Sequence, residues 1–172
     1  SGIEVYGRAR GAVTVPDESV APDPTSAFGH ALVEVETLAV ATGREVGAPV
    51  TALRFAPVVG PRYPSPLGRY LRLPVLAVDA LADPAFCVLS AEDAARAAVG
   101  AIRARHDGPL NVVAEGAVSA SQAALRAGHL PIPVAGPQWR IVRALAARAG
   151  APLPEHVVEL LRRGRAADGH LA

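Results

Sequence analysis

The 172 residues carry a formal net charge of +1 and are 51% hydrophobic, which suffices for one domain with a sizeable core or for part of a larger one. That balance excludes a global field recruiting nucleic acid or anionic membrane, and no apolar run of about 18 residues is present to span a bilayer. All 17 basic residues are arginine and cysteine occurs once, so no mechanism can use a lysine of this chain, no internal disulfide can form, and a reducing, cytoplasmic setting is expected. Methionine is absent even at position 1, which predicts a start inside a longer reading frame or after processing.

Residues 1–7, SGIEVYG, read as the end of a strand, and residues 8–24 as a loop rich in proline, glycine and acidic residues. Ser26 is the N-cap of a predicted helix. Ala31, Leu32, Val35, Leu38 and Ala39 recur along it at helical spacing, with Glu34 and Glu36 on its solvated side, until a turn at residues 43–47. The stretch 49–61, PVTALRFAPVVGP, organises the remainder. Its apolar run ends at the Gly60-Pro61 breaker and predicts a central parallel strand buried on both faces. The carboxyl end of such a strand, here residues 56–66, faces any ligand site.

Further on, residues 67–73 predict a short helix carrying Arg69 and Arg72, and residues 75–78 and 86–89 two short strands. Ser90, with Asp93 three residues later, caps a helix whose stripe is Ala94, Ala97, Ala98 and Ile102. Residues 110–113 predict another strand, followed by a helix capped by Ser119 or Ser121. The prolines at 131, 133 and 137 impose an extended segment. Two helices close the chain. One spans residues 138–149; the other starts at Pro154 and stops at Gly164. Strands alternating with helices predict a layered α/β fold, yet no Gly-rich pyrophosphate-cradling turn is present: Gly7 and Gly11 have the wrong spacing.

Several polar residues invite chemistry and have plainer structural readings. His30 belongs to an exposed helix start, Tyr6 to a packed turn and Cys87 to a buried apolar run as an inert thiol. His106, His129, His156 and His170 lack metal-ligand spacing, so no metal is expected. Arg69 and Arg72 are either phosphate ligands or a surface face. The arginines at 140, 143, 148, 162, 163 and 165 read as the polar side of packing helices, with an anionic partner as the alternative.

The order VYG (5–7), Asp17-Glu18, PTSAFG (24–29), Glu34-Val35-Glu36, LRFAPVVGP (53–61), VLSAEDAARA (88–97) and LNVV (110–113) resembles the second half of the NAD-dependent epimerase/dehydratase family, the extended short-chain dehydrogenases. The match covers residues 1–122, and the tail with HLPIPVAG resembles an actinobacterial branch labelled UDP-glucose 4-epimerase-like. The resemblance implies a partial Rossmann-like parallel sheet, its end at residues 1–61, and a small substrate lobe with closing helices over 62–172, with the dinucleotide-binding half upstream. It implies NAD or NADP as cofactor and a nucleotide sugar as small-molecule partner; without upstream strands, residues 50–59 would expose an edge or face of the sheet, which invites aggregation or a homodimer.

In that family a tyrosine moves the substrate's proton, a lysine four residues on lowers the tyrosine's pKa and holds the ribose, and a serine or threonine on the preceding strand end bonds the reacting oxygen. The corresponding positions here are Phe28, Leu32 and Gly2, with Ser1 one residue early, so no residue is assigned a catalytic role. The family's usual asparagine after the central strand is Pro57, a frequent arginine aligns with Phe86, and Arg54 is retained. By position, Phe28, Phe55, Ala56 and Pro57 are the wall expected beside a nicotinamide, and Arg62, Arg69 and Arg72 the expected diphosphate contacts. Two functional classes follow: epimerase or dehydratase chemistry with altered residues, or a non-catalytic nucleotide-sensing or interaction module on the same fold.

Overall fold

The computed structural model describes residues 1–9 and 14–171; Gly11 of the GRARG segment lies outside them. In chain order the elements are α1 (Ala27–Val46), β1 (Thr51–Phe55), β2 (Val58–Val59), α2 (Pro66–Tyr70), β3 (Val75–Asp79), β4 (Ala85–Phe86), β5 (Leu89–Ser90), α3 (Ala91–Ala104), β6 (Gly108–Val112), β7 (Val118–Ser119), α4 (Ala120–Arg126), β8 (Leu130–Val134), α5 (Gln138–Arg148) and α6 (Glu155–Arg163). The strands pair two by two. β1 runs parallel to β6, β2 to β5 and β3 to β8, while β4 and β7 are antiparallel. This is the expected α/β mixture with parallel pairing.

Local chemistry sets most boundaries. Ser26, Ser65, Ser90 and Ser119 each accept a backbone N–H three residues on and so start α1, α2, α3 and α4. At Ser119 the bond is reciprocated by Gln122, a full capping box. Gly47 ends α1 in the left-handed region. Gly164 ends α6 at φ 67°, where an added Cβ would collide with the Ala85 carbonyl oxygen, so only glycine fits. Pro131 and Pro133 are tolerated because β8 pairs only with β3 and leaves its other edge unpaired among the described residues.

Two apolar clusters make the core. Ile3, Val5, Tyr6, Ala56, Leu89 and Val112 pack behind β1 and β6, with Cys87 buried among them. Tyr70, Leu76, Phe86, Trp139, Leu160 and Leu161 pack where β3, α4, α5 and α6 meet.

Four expectations need correction. Residues 1–7 are a strand only at Gly2, which bridges Phe55; Val5 N–H then bonds the Gly2 carbonyl at 3.2 Å and turns Ile3–Tyr6 into a 3-10 helix. β1 is not buried on both faces: it has one full partner plus that bridge, and only Arg54 of its five residues is fully buried. On α1, Val35 and Leu38 are 60% and 68% exposed, while Glu36, read as solvated, points inward to a buried arginine. On α3 the stripe turns inward at Ala101 rather than Ile102, which is 77% exposed, because small alanines let the helix lie close on β1, β2 and β5.

Candidate functional site

A cavity of about 220 Å³ opens where α1, the end of β1 and the first turn of α6 converge. The Ser26 cap, with Gly29 N–H 3.1 Å from its Oγ, fixes the first turn of α1 and sends Phe28, and Leu32 one turn on, into the wall. A Cβ on Gly29 would meet the Glu4 carbonyl oxygen and the Pro24 ring, so the glycine lets α1 press against the 3-10 turn. The chain leaving β1 is held by Ala56 N–H to the Val112 carbonyl (2.9 Å) and Leu89 N–H to the Pro57 carbonyl (3.1 Å), which presents Phe55, Ala56 and Pro57 to the same space. Gly2 completes that wall.

Three titratable side chains, Glu4, Tyr63 and His156, also line the cavity. Glu4 is 7% exposed; burial pushes its carboxyl above the usual carboxylate range, against the downward pull of nearby Arg165. A Cβ on Gly2 would collide with Glu4 Oε2, so the carboxyl occupies the space that a serine side chain would need. His156 stacks on Phe28 with ring centroids 4.2 Å apart, and burial, then Arg165, lowers its pKa. Both environments favour the neutral form, a carboxylic acid and a free imidazole. Such a pair can hold or pass a proton at a bound hydroxyl.

Behind the cavity runs a buried polar chain. Arg54 donates bidentately to Glu36 (Nε to Oε1 3.0 Å, Nη2 to Oε2 2.8 Å) and through Nη1 to the Tyr6 hydroxyl (2.8 Å). That hydroxyl donates to Asn111 Oδ1 (2.8 Å), and Asn111 in turn takes Glu18 on its N–H and the Asp168 carbonyl on Nδ2. Burial raises the Tyr6 pKa, and both its hydrogen-bonding directions are used, so the phenol is structural. For Glu36 burial pulls upward, yet the bonds from Arg54 and Ser1 win and hold its pKa low.

Phe28, Phe55, Ala56 and Pro57 thus share one cavity, together with the replaced positions Gly2 and Leu32. Arg62, Arg69 and Arg72 do not line it. Arg69 donates to the Pro64 carbonyl (2.8 Å) and Arg72 to the Gly60 carbonyl (2.5 Å), bracing the loop whose Tyr63, Ser65 and Pro66 do; Arg62 is exposed beside them. His30 is exposed on α1, and the Cys87 thiol faces the Gly116 carbonyl at 3.4 Å. Among the described residues no group of three or more His, Cys, Asp or Glu side chains could hold a metal, and no helix is long and apolar enough to cross a membrane. From the sequence Glu4 is unmarked, and His156 is marked only as lacking metal-ligand spacing. A lone Glu inside IEVY was a detectable signal, since its neighbours Ile3 and Val5 are core; the approach of His156 to Phe28, 128 positions away, had none.

No family model matches the chain. Uncharacterized proteins of Mycobacterium tuberculosis and Mycobacterium bovis are 34% identical over 136 residues, 77% of this chain and 36% of their own length, so the chain spans about a third of these curated relatives. Among solved structures, MoeE5 in complex with UDP-glucuronic acid and NAD superposes with a TM-score of 0.67 at 26% identity over 99% of this chain and 54% of that one. The UDP-glucuronic acid 4-epimerase of Bacillus cereus, in complex with UDP-glucuronic acid and NAD, gives 0.67 at 18% over 98% and 51%. The UDP-glucose 4-epimerase of Thermotoga maritima gives 0.62 at 22% over 80% and 50%. The chain therefore has a partial Rossmann-like fold shared with about half of each of these chains.

Proposed function

We propose that this chain is the C-terminal part of an NAD(P)-binding protein of the nucleotide-sugar epimerase/dehydratase type, with its cavity facing the nicotinamide and the sugar. One observation carries the reading. Gly2, Phe28, Leu32, Phe55, Ala56 and Pro57, marked by resemblance alone and drawn from three separated segments, line one cavity. Neighbours of the same fold hold NAD and UDP-sugars in their structures.

The residues present fit the nicotinamide end of such a cofactor: a largely apolar wall that also carries Glu4, Tyr63 and His156. Bound there, the nicotinamide would supply hydride transfer. Phe28, Phe55, Ala56 and Pro57 would exclude water and fix the ring's plane. Phe28 and Leu32 cannot ionise, so proton movement would fall to the Glu4 carboxyl, the His156 imidazole or the Tyr63 phenol, which line the same cavity. Arg62 on the loop at the cavity's edge, Arg69 on α2 and Arg72 just after it would reach the diphosphate of the nucleotide sugar through guanidinium N–H groups left free of the carbonyls. The second reading, a non-catalytic nucleotide-sensing module, draws on the same cavity: the positions of the usual serine, tyrosine and lysine carry none of those residues.

Calorimetric titration of the full-length protein with NAD(H) and NADP(H) tests the shared premise. The expected dissociation constant is roughly micromolar, and Phe28→Ala should weaken it by about 1 kcal/mol, or fivefold, through lost ring contact. A well-folded full-length protein that binds neither dinucleotide contradicts the proposal. Binding without turnover of any UDP-sugar selects the sensing module.

A further inference from the structure

A second cavity, of about 330 Å³, lies on another side of α6, and four of its ten lining residues are arginine. Successive residues of α6 separate the two spaces: His156, Val157 and Leu160 face the candidate site, whereas Val158, Glu159 and Arg162 face this one. α5 contributes Arg140 and Arg143, which are three residues apart and so share a helix face. With Arg162 and Arg163 they bring four arginines to the lining of this space.

The acids nearby offset only part of this charge. Glu159 is already shared, since Thr25 donates to its carboxylate, Arg163 lies at 3.5 Å and the buried Arg165 also at 3.5 Å. The Arg165 guanidinium, 1% exposed, makes no hydrogen bond among the described residues, so one more positive charge sits beneath the wall. Arg162 pairs with Asp79 at 3.6 Å, and Glu155 joins Glu159 as an acid in the lining among the described residues. Arg140 and Arg143 have no ion pair among the described residues. Like charges converging in a concave site raise its potential, and a compact anion with several oxygens relieves it by accepting guanidinium N–H pairs in parallel. Concavity excludes a flat bilayer as the natural occupant.

We propose that this cavity binds a diphosphate group, at a site separate from the candidate nicotinamide cavity and independent of the cofactor reading. The test is calorimetric titration of inorganic pyrophosphate into the full-length protein without dinucleotide, at low and at physiological salt. Saturable, salt-sensitive binding is expected, weakened at least about tenfold in R140Q/R143Q, the loss of charge-assisted contacts, and unchanged in R44Q at the far end of α1. Both replaced arginines are exposed, and circular dichroism should show the variant folded. Competition by UDP but not UMP would assign the diphosphate to a nucleotide; failure of UDP to compete would assign it to a free anion, and either supports the site. Absence of saturable binding, equal affinity in R140Q/R143Q, or binding only to phosphatidylglycerol vesicles would overturn it. None of these outcomes depends on NAD binding, so the two proposals fail separately.

Discussion

Arg54 spends its guanidinium on Glu36 and on the Tyr6 hydroxyl, with the two charged side chains 5% and 11% exposed. Removing one partner of such a pair strands the other charge out of water, so Arg54→Met should cost about 3 kcal/mol in denaturant unfolding, and the double variant with Glu36→Leu should recover much of it. A full additive loss in the double variant would contradict the coupling. Glu4 acts in the opposite sense. Its folded pKa is raised, so its contribution is fully present below the unfolded carboxylate pKa and is lost as pH rises through the folded value. Glu4→Gln should therefore raise the melting temperature at pH 7 to 8 and leave it unchanged near pH 4; an equal shift at both would contradict the buried carboxyl. His156, with its lowered pKa, stabilises above its unfolded value and loses that contribution on acidification.

At the scale of elements, the starts of helices were legible because a serine cap is a local event. Ser26, Ser90 and Ser119 each sit where their hydroxyl meets an N–H three residues on. Ser119→Ala should cost about 1 kcal/mol and loosen the start of α4, measurable by chemical denaturation and hydrogen exchange; the cost vanishes if the capping box is idle. Gly164→Ala should cost more, since the left-handed φ and the Ala85 carbonyl both oppose a Cβ. The faces of helices were less legible. Periodicity in α1 marked Val35 and Leu38, but both are mostly exposed, and Glu36 turns inward because β1 places Arg54 beneath it. In α3 the choice between Ala101 and Ile102 depended on how closely the helix approaches the sheet, a distance set by elements elsewhere in the chain.

Taken whole, the chain brings residues far apart in sequence to one cavity, and that part of the site was only half readable. Family resemblance marked Phe28, Phe55, Ala56 and Pro57 by order alone, and the fold gathers them. His156 reaches Phe28 only because α6 packs back toward α1, which no local pattern announces. Likewise the convergence of Arg140, Arg143, Arg162 and Arg163 depends on how α5 and α6 lie together, although each helix was recognisably basic. The central claim is that the cavity beside Gly2, Phe28 and Ala56 receives a nicotinamide. A crystal structure of the full-length protein grown with NADH is the most direct measurement. The account predicts the nicotinamide ring in van der Waals contact with Phe28, Phe55 and Ala56, with Glu4 and His156 at its rim; a cofactor seated elsewhere, or this cavity filled by another part of the protein, would contradict it.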